Sequence, residues 1–143
     1  MKEIVLVTGG FDPIHSGHID YFKSAKQISE YLIVGLNSDE WLMRKKGKYF
    51  MNFSERAAIV DSIRYVDAVI NFDDSDGSAK NAILKVLKLY PDSSIVFANG
   101  GDRNSKNIPE MDISHPRLSF VFGTGGDFKK NSSSWILEQW KSK

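Results

Sequence analysis

The sequence predicts an α/β fold, a three-layer α/β/α domain with a five-stranded parallel sheet. Strand-like and helix-like segments alternate along the chain, and short polar stretches connect them. The strand-like segments are continuous apolar runs rich in β-branched residues, which is typical of strands covered on both faces. Such alternation favours parallel pairing through right-handed crossovers, with helices on both sides of the sheet.

The length and composition predict a single domain. The 143 residues contain no internal repeat, linker or low-complexity tract, so we treat 1–143 as one unit. A chain of this size buries roughly 68–70% of its unfolded surface and needs no disulfide or metal to fold. The absence of cysteine excludes disulfides, thiolate metal sites and a cysteine nucleophile.

Charge and hydropathy indicate a cytoplasmic protein with no nucleic-acid partner and no membrane partner. The 19 basic and 18 acidic side chains leave a formal charge of +1, which does not favour binding to a polyanion. No segment approaches the ~18 consecutive apolar residues of a membrane span. The first residues also lack the features of a signal peptide.

The first half of the chain contains three predicted strands. Residues 4–8 form a strand that ends in two glycines, and the apolar spacing over 17–29 predicts a helix. A second strand follows at 31–36, and Ser38 is a candidate N-cap for a short helix. The basic, glycine-broken stretch 44–49 is predicted to be a loop.

A capping-box-like pair, Asn52 and Glu55, opens the next predicted helix, which runs to about residue 63. A third strand is predicted at 67–72. An amphipathic helix then starts at Ser78 and stops at Pro91. The last elements are strands at 94–98 and 118–122 and a helix at about 132–140. In such sheets, ligands bind beyond the carboxyl ends of the strands, where the strand order reverses.

The junction of the first strand and first helix carries the most informative residues, Gly-Gly-Phe-Asp-Pro-Ile-His-Ser-Gly-His at 9–18. Its two glycines allow a ligand to approach the backbone closely. His15 and His18 bracket Gly17 at the start of the helix, where free N–H groups and the helix dipole favour an anion. Two imidazoles at this spacing can both donate hydrogen bonds to a phosphate whose charge moves during a reaction.

Other interpretations of this junction remain open. It is neither a GxGxxG fingerprint nor a P-loop. The two histidines could be ordinary loop residues with satisfied hydrogen bonds. Alternatively, Asp12, His15 and His18 could bind a metal, although no further carboxylate or histidine clusters nearby in the sequence.

The residues at 11–19 resemble the signature of the HxGH nucleotidyltransferases, in particular their cytidylyltransferase-like branch. The resemblance extends over most of the chain and includes glycerol-3-phosphate cytidylyltransferase and the domain that adenylylates heptose 1-phosphate. Further similar segments are Ala25-Lys26, Asn37-Ser38-Asp39, Ser54-Glu55-Arg56, the stretch 63–67, Gly100-Gly101-Asp102 and Ser132-Ser133-Ser134.

This resemblance implies a Rossmann-like fold and a nucleotidyl transfer. CMP, or as the alternative AMP, would pass from CTP or ATP to a phosphorylated polyol or sugar, with release of pyrophosphate. An acceptor oxygen would attack the α-phosphorus in line, without a covalent intermediate, so catalysis would rest on positioning and charge stabilisation. The resemblance also implies Mg²⁺ that accompanies the NTP, and a homodimer.

The resemblance also assigns roles to individual residues. The catalytic set is His15, His18, Lys45, Lys46 and Arg56, in which the lysines close on the phosphates and Arg56 holds the acceptor or the triphosphate. Asp12 would lie near the phosphates or their metal. The nucleotide-binding set is Gly9, Gly10, Phe11, Asp12, His15, Gly17, His18, Gly101, Asp102, Ser132, Ser133 and Ser134.

Simpler roles for these residues also remain open. The lysine run is by itself also typical of a solvated surface. Arg56 could form an ion pair on the helix surface, and Ser132–Ser134 could serve only as an N-cap. The chain also departs from the family pattern, because Gly10 stands where many relatives have Thr. In the segment 127–134, Asp127 replaces an arginine, and Lys129 and Lys130 are the nearby cations.

Two other functions are compatible with parts of this pattern. One is a nucleotide-binding module without turnover, although the histidines, lysines and Arg56 are all present. The other is an RNA-ligand domain resembling a synthetase fragment, which the net charge of +1 does not favour.

Overall fold

The fold is a five-stranded parallel sheet with helices on both faces, as the sequence predicts. We describe it from a computed structural model, over residues 2–101, 107–125 and 133–142. The sheet order is β3-β2-β1-β4-β5, and each neighbouring pair is parallel. The strands are β1 (Glu3–Gly9), β2 (Tyr31–Leu36), β3 (Ala68–Asn71), β4 (Ser94–Gly100) and β5 (Leu118–Thr124).

The strand order reverses between β1 and β4. The chain moves outward from β1 through β2 to β3, then crosses back to add β4 and β5 on the other side of β1. This reversal leaves a crevice beyond the carboxyl ends of β1 and β4. The helices are α1 (Ser16–Ile28), α2 (Asp39–Lys46), α3 (Phe53–Asp61), α4 (Lys80–Leu89) and α5 (Ser133–Lys141), and a 3₁₀ helix covers Pro109–Asp112.

Alternating side chains of the central strands supply two separate cores. On β1, Ile4 and Leu6 pack in the cluster that includes Ile83 and Val86 of α4. The next residues along the strand, such as Val5, pack on the opposite face in the cluster of α1 and α3. Because both faces are covered, β1 is apolar at four successive positions, residues 4–7, which is why this stretch shows no polar alternation.

The basic segment after the second strand is helical at first, contrary to the loop predicted for 44–49. Ser38 caps α2 by accepting a hydrogen bond from the Trp41 N–H at 3.0 Å. The helix continues through Lys46 and ends at Gly47, which has a positive φ of 82°. Cations in the last turn favour the helix because they face the negative end of its dipole. The glycine, rather than the run of charge, therefore ends the helix.

The polar connection after β3 holds the start of α2. The buried carboxylate of Asp74 accepts hydrogen bonds from the Ser38 N–H and hydroxyl, at 2.7 Å each, and from the Asn37 amide at 3.1 Å. Two loops that are far apart in sequence are thereby joined at the carboxyl edge of the sheet. Within the described part of the chain, no helix is both long enough and apolar enough to cross a membrane.

Candidate active site

A cavity of about 860 Å³ lies in the crevice between the ends of β1 and β4. Its size falls within the usual range for small-molecule sites. Its walls come from the ends of β1, β4 and β5, the start of α1, one side of α2, residues 77–79 before α4, Glu110 of the 3₁₀ helix, and the first residues of α5. Most of the residues predicted to bind nucleotide therefore converge on one cavity.

His15 and His18 form a stacked pair at the start of α1. The Nδ1 of His15 accepts from the Gly17 N–H at 3.1 Å, and the Nδ1 of His18 accepts from the His15 N–H at 3.2 Å. This reciprocal arrangement is a capping box, and the ring centroids lie 3.7 Å apart. Since each Nδ1 is an acceptor, a neutral ring carries its proton on Nε2. Both histidines line the cavity.

His18 is a neutral donor over the physiological pH range. Its pKa is lowered from 6.5 to about 3, mainly by burial and further by the electrostatic influence of His15 and of the Lys46 ammonium. Burial disfavours the charged form of an imidazole, and a neighbouring cation disfavours it further. An incoming anion therefore meets His18 as a neutral imidazole with a fixed tautomer.

The glycines before the motif make room for the protein's own side chains. A Cβ on Gly9 would lie 2.8 Å from the Phe11 ring, and a Cβ on Gly10 would lie 2.9 Å from Leu42. Phe11 has a positive φ of 53°, a conformation that costs a non-glycine residue about 1–2 kcal/mol. Its ring packs edge-on against His18, with 4.9 Å between centroids. The strained turn thus supports the second histidine.

Asp12, which was expected to lie near the phosphates or their metal, lines the cavity. It is 2% exposed, and its two carboxylate oxygens accept hydrogen bonds from the N–H groups of Phe50 (2.6 Å) and Met51 (2.7 Å). The carboxylate therefore also holds the connection between α2 and α3 against the motif. Among the described residues, no group of three or more His, Cys, Asp or Glu side chains could hold a metal ion.

Lys45 and Lys46 line the cavity from the end of α2. The Lys46 ammonium donates to the backbone carbonyl of Asp12 at 3.3 Å, and the Lys45 ammonium lies 4.6 Å from the centre of the Trp41 ring. Both side chains are mostly exposed, so a bound anion can recruit them without unfolding a loop.

Arg56, which was expected to hold the acceptor or the triphosphate, lies beneath the cavity wall and does not line it. Its side chain is fully buried. The guanidinium donates to the carbonyls of Met51, Gly10 and Asn37 and to the carboxylate of Asp39, at 2.7–3.0 Å. With those partners, the side chain ties together the ends of β1 and β2 and the starts of α2 and α3. Its role is to position the wall of the site.

The start of α5 reaches the cavity on its far side. The Ser133 hydroxyl donates to the Pro13 carbonyl at 2.7 Å, so it docks α5 on the motif. Ser133, Ser134, Gly17 and Gly101 line the cavity. The remaining predicted nucleotide ligands, Asp102 and Ser132, lie outside the described residues, as do Lys129 and Lys130.

Among the lining residues that were not predicted, two are buried and polar and have a side-chain oxygen without a hydrogen-bond partner. Glu110 and Thr124 are 3% and 7% exposed and both line the cavity. In the sequence, Glu110 stands in a polar Pro-Glu-Met-Asp stretch that is typical of a surface turn. Only Ile108, an apolar residue two positions earlier, suggests that this stretch packs against the core.

The comparison with protein families agrees with this geometry. The family model described as cytidylyltransferase-like matches residues 6–121. The chain belongs to this nucleotidyltransferase family. The matched region contains the histidine motif, both lysines, Arg56 and Glu110, and the match confirms the resemblance inferred from the sequence.

Two kinds of relatives match the chain. Glycerol-3-phosphate cytidylyltransferase of Bacillus subtilis is 41% identical over 106 residues, which cover 74% of this chain and 76% of the relative. The bifunctional protein HldE of Campylobacter jejuni is 35% identical over 145 residues, which cover 99% of this chain and 28% of the relative. The chain thus spans only about a quarter of the length of these bifunctional relatives.

Solved structures support the fold. The lipopolysaccharide core biosynthesis protein of Thermoplasma volcanium superposes with a TM-score of 0.62 at 25% identity, over 85% of this chain and 96% of that one. A putative nicotinate-nucleotide adenylyltransferase of Vibrio parahaemolyticus gives a TM-score of 0.66 at 17% identity, over 99% of this chain and 88% of that one. The second likeness concerns the fold alone.

Replacing Arg56 with Met should destabilise the protein by about 3–5 kcal/mol, because three carbonyls and a carboxylate lose a buried partner. Urea unfolding would measure the loss. The matched control is Arg64→Met, since Arg64 is exposed and follows the same helix, and its change should stay within about 0.5 kcal/mol. Equal effects for both variants would contradict the positioning role of Arg56.

The pKa of His18 predicts a stability loss in mild acid. Between pH 6.5 and about 3, the unfolded chain binds a proton at His18 that the folded chain does not, so stability falls as the pH falls. The free energy of unfolding of His18→Gln should therefore depend less steeply on pH than that of the wild type between pH 7 and 5. The two slopes should differ by at most about 1.4 kcal/mol per pH unit. Urea unfolding across this window would test it, and parallel curves for both proteins would contradict it.

Proposed function

We propose that this protein transfers CMP, in preference to AMP, from a nucleoside triphosphate to a phosphorylated polyol or sugar and releases pyrophosphate. The observation that carries the proposal is the stacked pair of His15 and His18 with fixed Nδ1 atoms, at the mouth of the β1–β4 crevice. The preference for CTP is supported by the cytidylyltransferase relative, which is 41% identical over three quarters of both chains.

The triphosphate would bind at the histidine end of the cavity. The start of α1 offers the positive end of a helix dipole, and the two imidazoles offer Nε2–H donors. Lys45 and Lys46 bring positive charge from the end of α2. Gly9, Gly10, Phe11 and Gly17 shape this end of the cavity, while Gly101, Asp102 and the serines Ser132–Ser134 would contact the rest of the nucleotide.

The reaction would be an in-line displacement. An oxygen of the acceptor phosphate attacks the α-phosphorus, the bond to the bridging oxygen breaks, and pyrophosphate leaves with the electron pair. Since the attacking group belongs to the acceptor, the protein positions the reactants and stabilises the charge that moves onto the leaving group. A neutral His18 suits this task, because its fixed donor needs no proton-transfer step beforehand.

Mg²⁺ would enter with the NTP as part of the substrate. The ion commonly keeps several waters and binds through substrate phosphates. Asp12 lines the cavity beside the histidines and would lie near the phosphates or their metal, while its oxygens also accept from the N–H groups of Phe50 and Met51. We further propose a homodimer located in the cytoplasm.

The reaction should be detectable as pyrophosphate release with Mg²⁺, each of the four NTPs in turn, and a panel of polyol and sugar phosphates that includes glycerol 3-phosphate. We expect release with CTP and one acceptor. His18→Ala should lower kcat by at least ~10²-fold, the scale for losing one transition-state donor. His115→Ala is the control, because His115 lies outside the cavity. NTP binding without release across the panel would favour the binding module instead.

Changing Lys45 and Lys46 together to Ala should raise KM for the NTP about tenfold or more, because two charge-assisted contacts to phosphate are lost. Initial-rate kinetics at saturating acceptor would measure this change. Lys48→Ala is the control, since Lys48 follows Gly47 and does not line the cavity. If KM and kcat stay unchanged in the double variant, the two lysines are only a solvated surface.

A further inference from the structure

The two central strands separate where the cavity begins. Their paired register ends at Leu6 of β1 and Phe97 of β4, although β1 continues to Gly9 and β4 to Gly100. Residues beyond the last pair, among them Gly9 and Ala98, line the cavity. Backbone groups on the facing edges of the separated strands therefore need other hydrogen-bond partners.

The carbonyl of Ala98 lies on one of these edges. The N–H of Ser94 donates to the backbone just before β1, and the N–H of Ile95 donates to the backbone just before β5. Because successive residues of a strand direct their backbone groups to alternate neighbours, the carbonyl of Ala98 faces the β1 side. It accepts a hydrogen bond from the Tyr21 hydroxyl of α1 at 2.7 Å. A side chain of α1 thus holds β4 where its pairing with β1 has ended.

The Tyr21 side chain also packs against the ends of β4 and β5. A Cβ on Gly100 would lie 3.1 Å from the tyrosine ring and 3.0 Å from the Thr124 carbonyl oxygen. A Cβ on Gly125 would lie 3.4 Å from the Tyr21 Cα. The two glycines therefore leave the space that the tyrosine and its helix occupy. The ring and the hydroxyl together fix α1 against the β4–β5 side of the cavity.

Tyr21 shares a helix face with the histidine pair. It follows His18 by three residues on α1, and residues at this spacing are neighbours on a helix surface. Both residues line the cavity. A single turn of α1 therefore carries a hydrogen-bond donor for the phosphates and the group that holds the end of β4.

We propose that Tyr21 is a positioning residue for the nucleotidyl transfer, because its hydroxyl fixes the end of β4 relative to His15 and His18. The assignment rests on the proposed function, in which the triphosphate meets the histidines and Gly101 contacts the rest of the nucleotide. A nucleotide held at both places is aligned for attack only if the two sides of the cavity keep their distance. In-line transfer is sensitive to this alignment, since a misplacement of about 1 Å costs up to ~10²-fold in rate. The hydroxyl itself keeps its proton.

Tyr21→Phe tests the proposal, because it removes the hydroxyl and keeps the ring. We expect kcat to fall at least ~10-fold, since the Ala98 carbonyl loses its partner and the substrate its alignment. KM for the NTP should stay within about twofold, because each side of the cavity still binds its own part of the substrate. Tyr31→Phe is the matched control. The Tyr31 hydroxyl bonds to Tyr90 at the opposite end of the strands, and its removal should change kcat by less than about twofold.

A double-mutant cycle with His18→Ala separates positioning from a general structural effect. If the tyrosine acts by aligning the substrate with the histidines, its hydroxyl matters less once His18 is absent. Tyr21→Phe should therefore cost His18→Ala less than about 3-fold in kcat, against at least ~10-fold in the wild type. A loss of folded protein would lower kcat by the same factor in both backgrounds. Urea unfolding and direct NTP titration give the folded, binding-competent fraction of each variant.

The remaining outcomes separate the two proposals. If Tyr21→Phe leaves kcat unchanged, raises only KM for the NTP, or lowers kcat equally in both backgrounds, the assignment of Tyr21 is overturned and the proposed function stands. The same holds if Tyr21→Phe is unfolded or binds no NTP in the assay, because the hydroxyl then serves the fold as a whole. If the wild type releases no pyrophosphate with any NTP and acceptor, the proposed function fails, and the role of Tyr21 fails with it.

Discussion

The buried guanidinium of Arg56 is the interaction on which the rest of the site depends. It joins the carbonyls at the ends of β1 and β2, the connection before α3, and Asp39 in the first turn of α2. These segments carry the histidine motif and Lys46, so their relative positions follow from one side chain. A buried cation is costly unless every partner is present, and this requirement favours a single arrangement of the three segments.

Other polar side chains near the cavity have the same structural task. Asp12 holds the connection between α2 and α3, Asp74 holds the start of α2, and Ser133 holds α5 against the motif. These groups bond to the protein's own backbone and so hold the walls in place. Other polar residues also line the cavity, including His18 and Lys46 at the histidine end. Such fixed dipoles need little reorganisation when a charged substrate binds.

The part of the candidate site that could be predicted from the sequence is the part whose residues lie close together along the chain. His15 and His18 stand three residues apart at a strand-to-helix junction, so the pattern alone brings them together. Arg56 was predicted to belong to the site, but its burial and its contacts were not predicted, because its partners Gly10 and Asn37 lie far away in the sequence. Glu110 was missed, since its burial depends on α4, about thirty residues earlier.

The parallel α/β fold, most element positions, the histidine motif and the family resemblance could all be predicted from the sequence. Each of these depends on local periodicity, capping residues or short spacing, which neighbouring residues fix among themselves. The division of labour among the polar side chains became visible only in the folded protein. Asp12 and Arg56, for example, form hydrogen bonds with backbone groups that hold the cavity walls in place. Hydrogen bonds between distant segments decide that division, and no local pattern along the chain records which segments will meet.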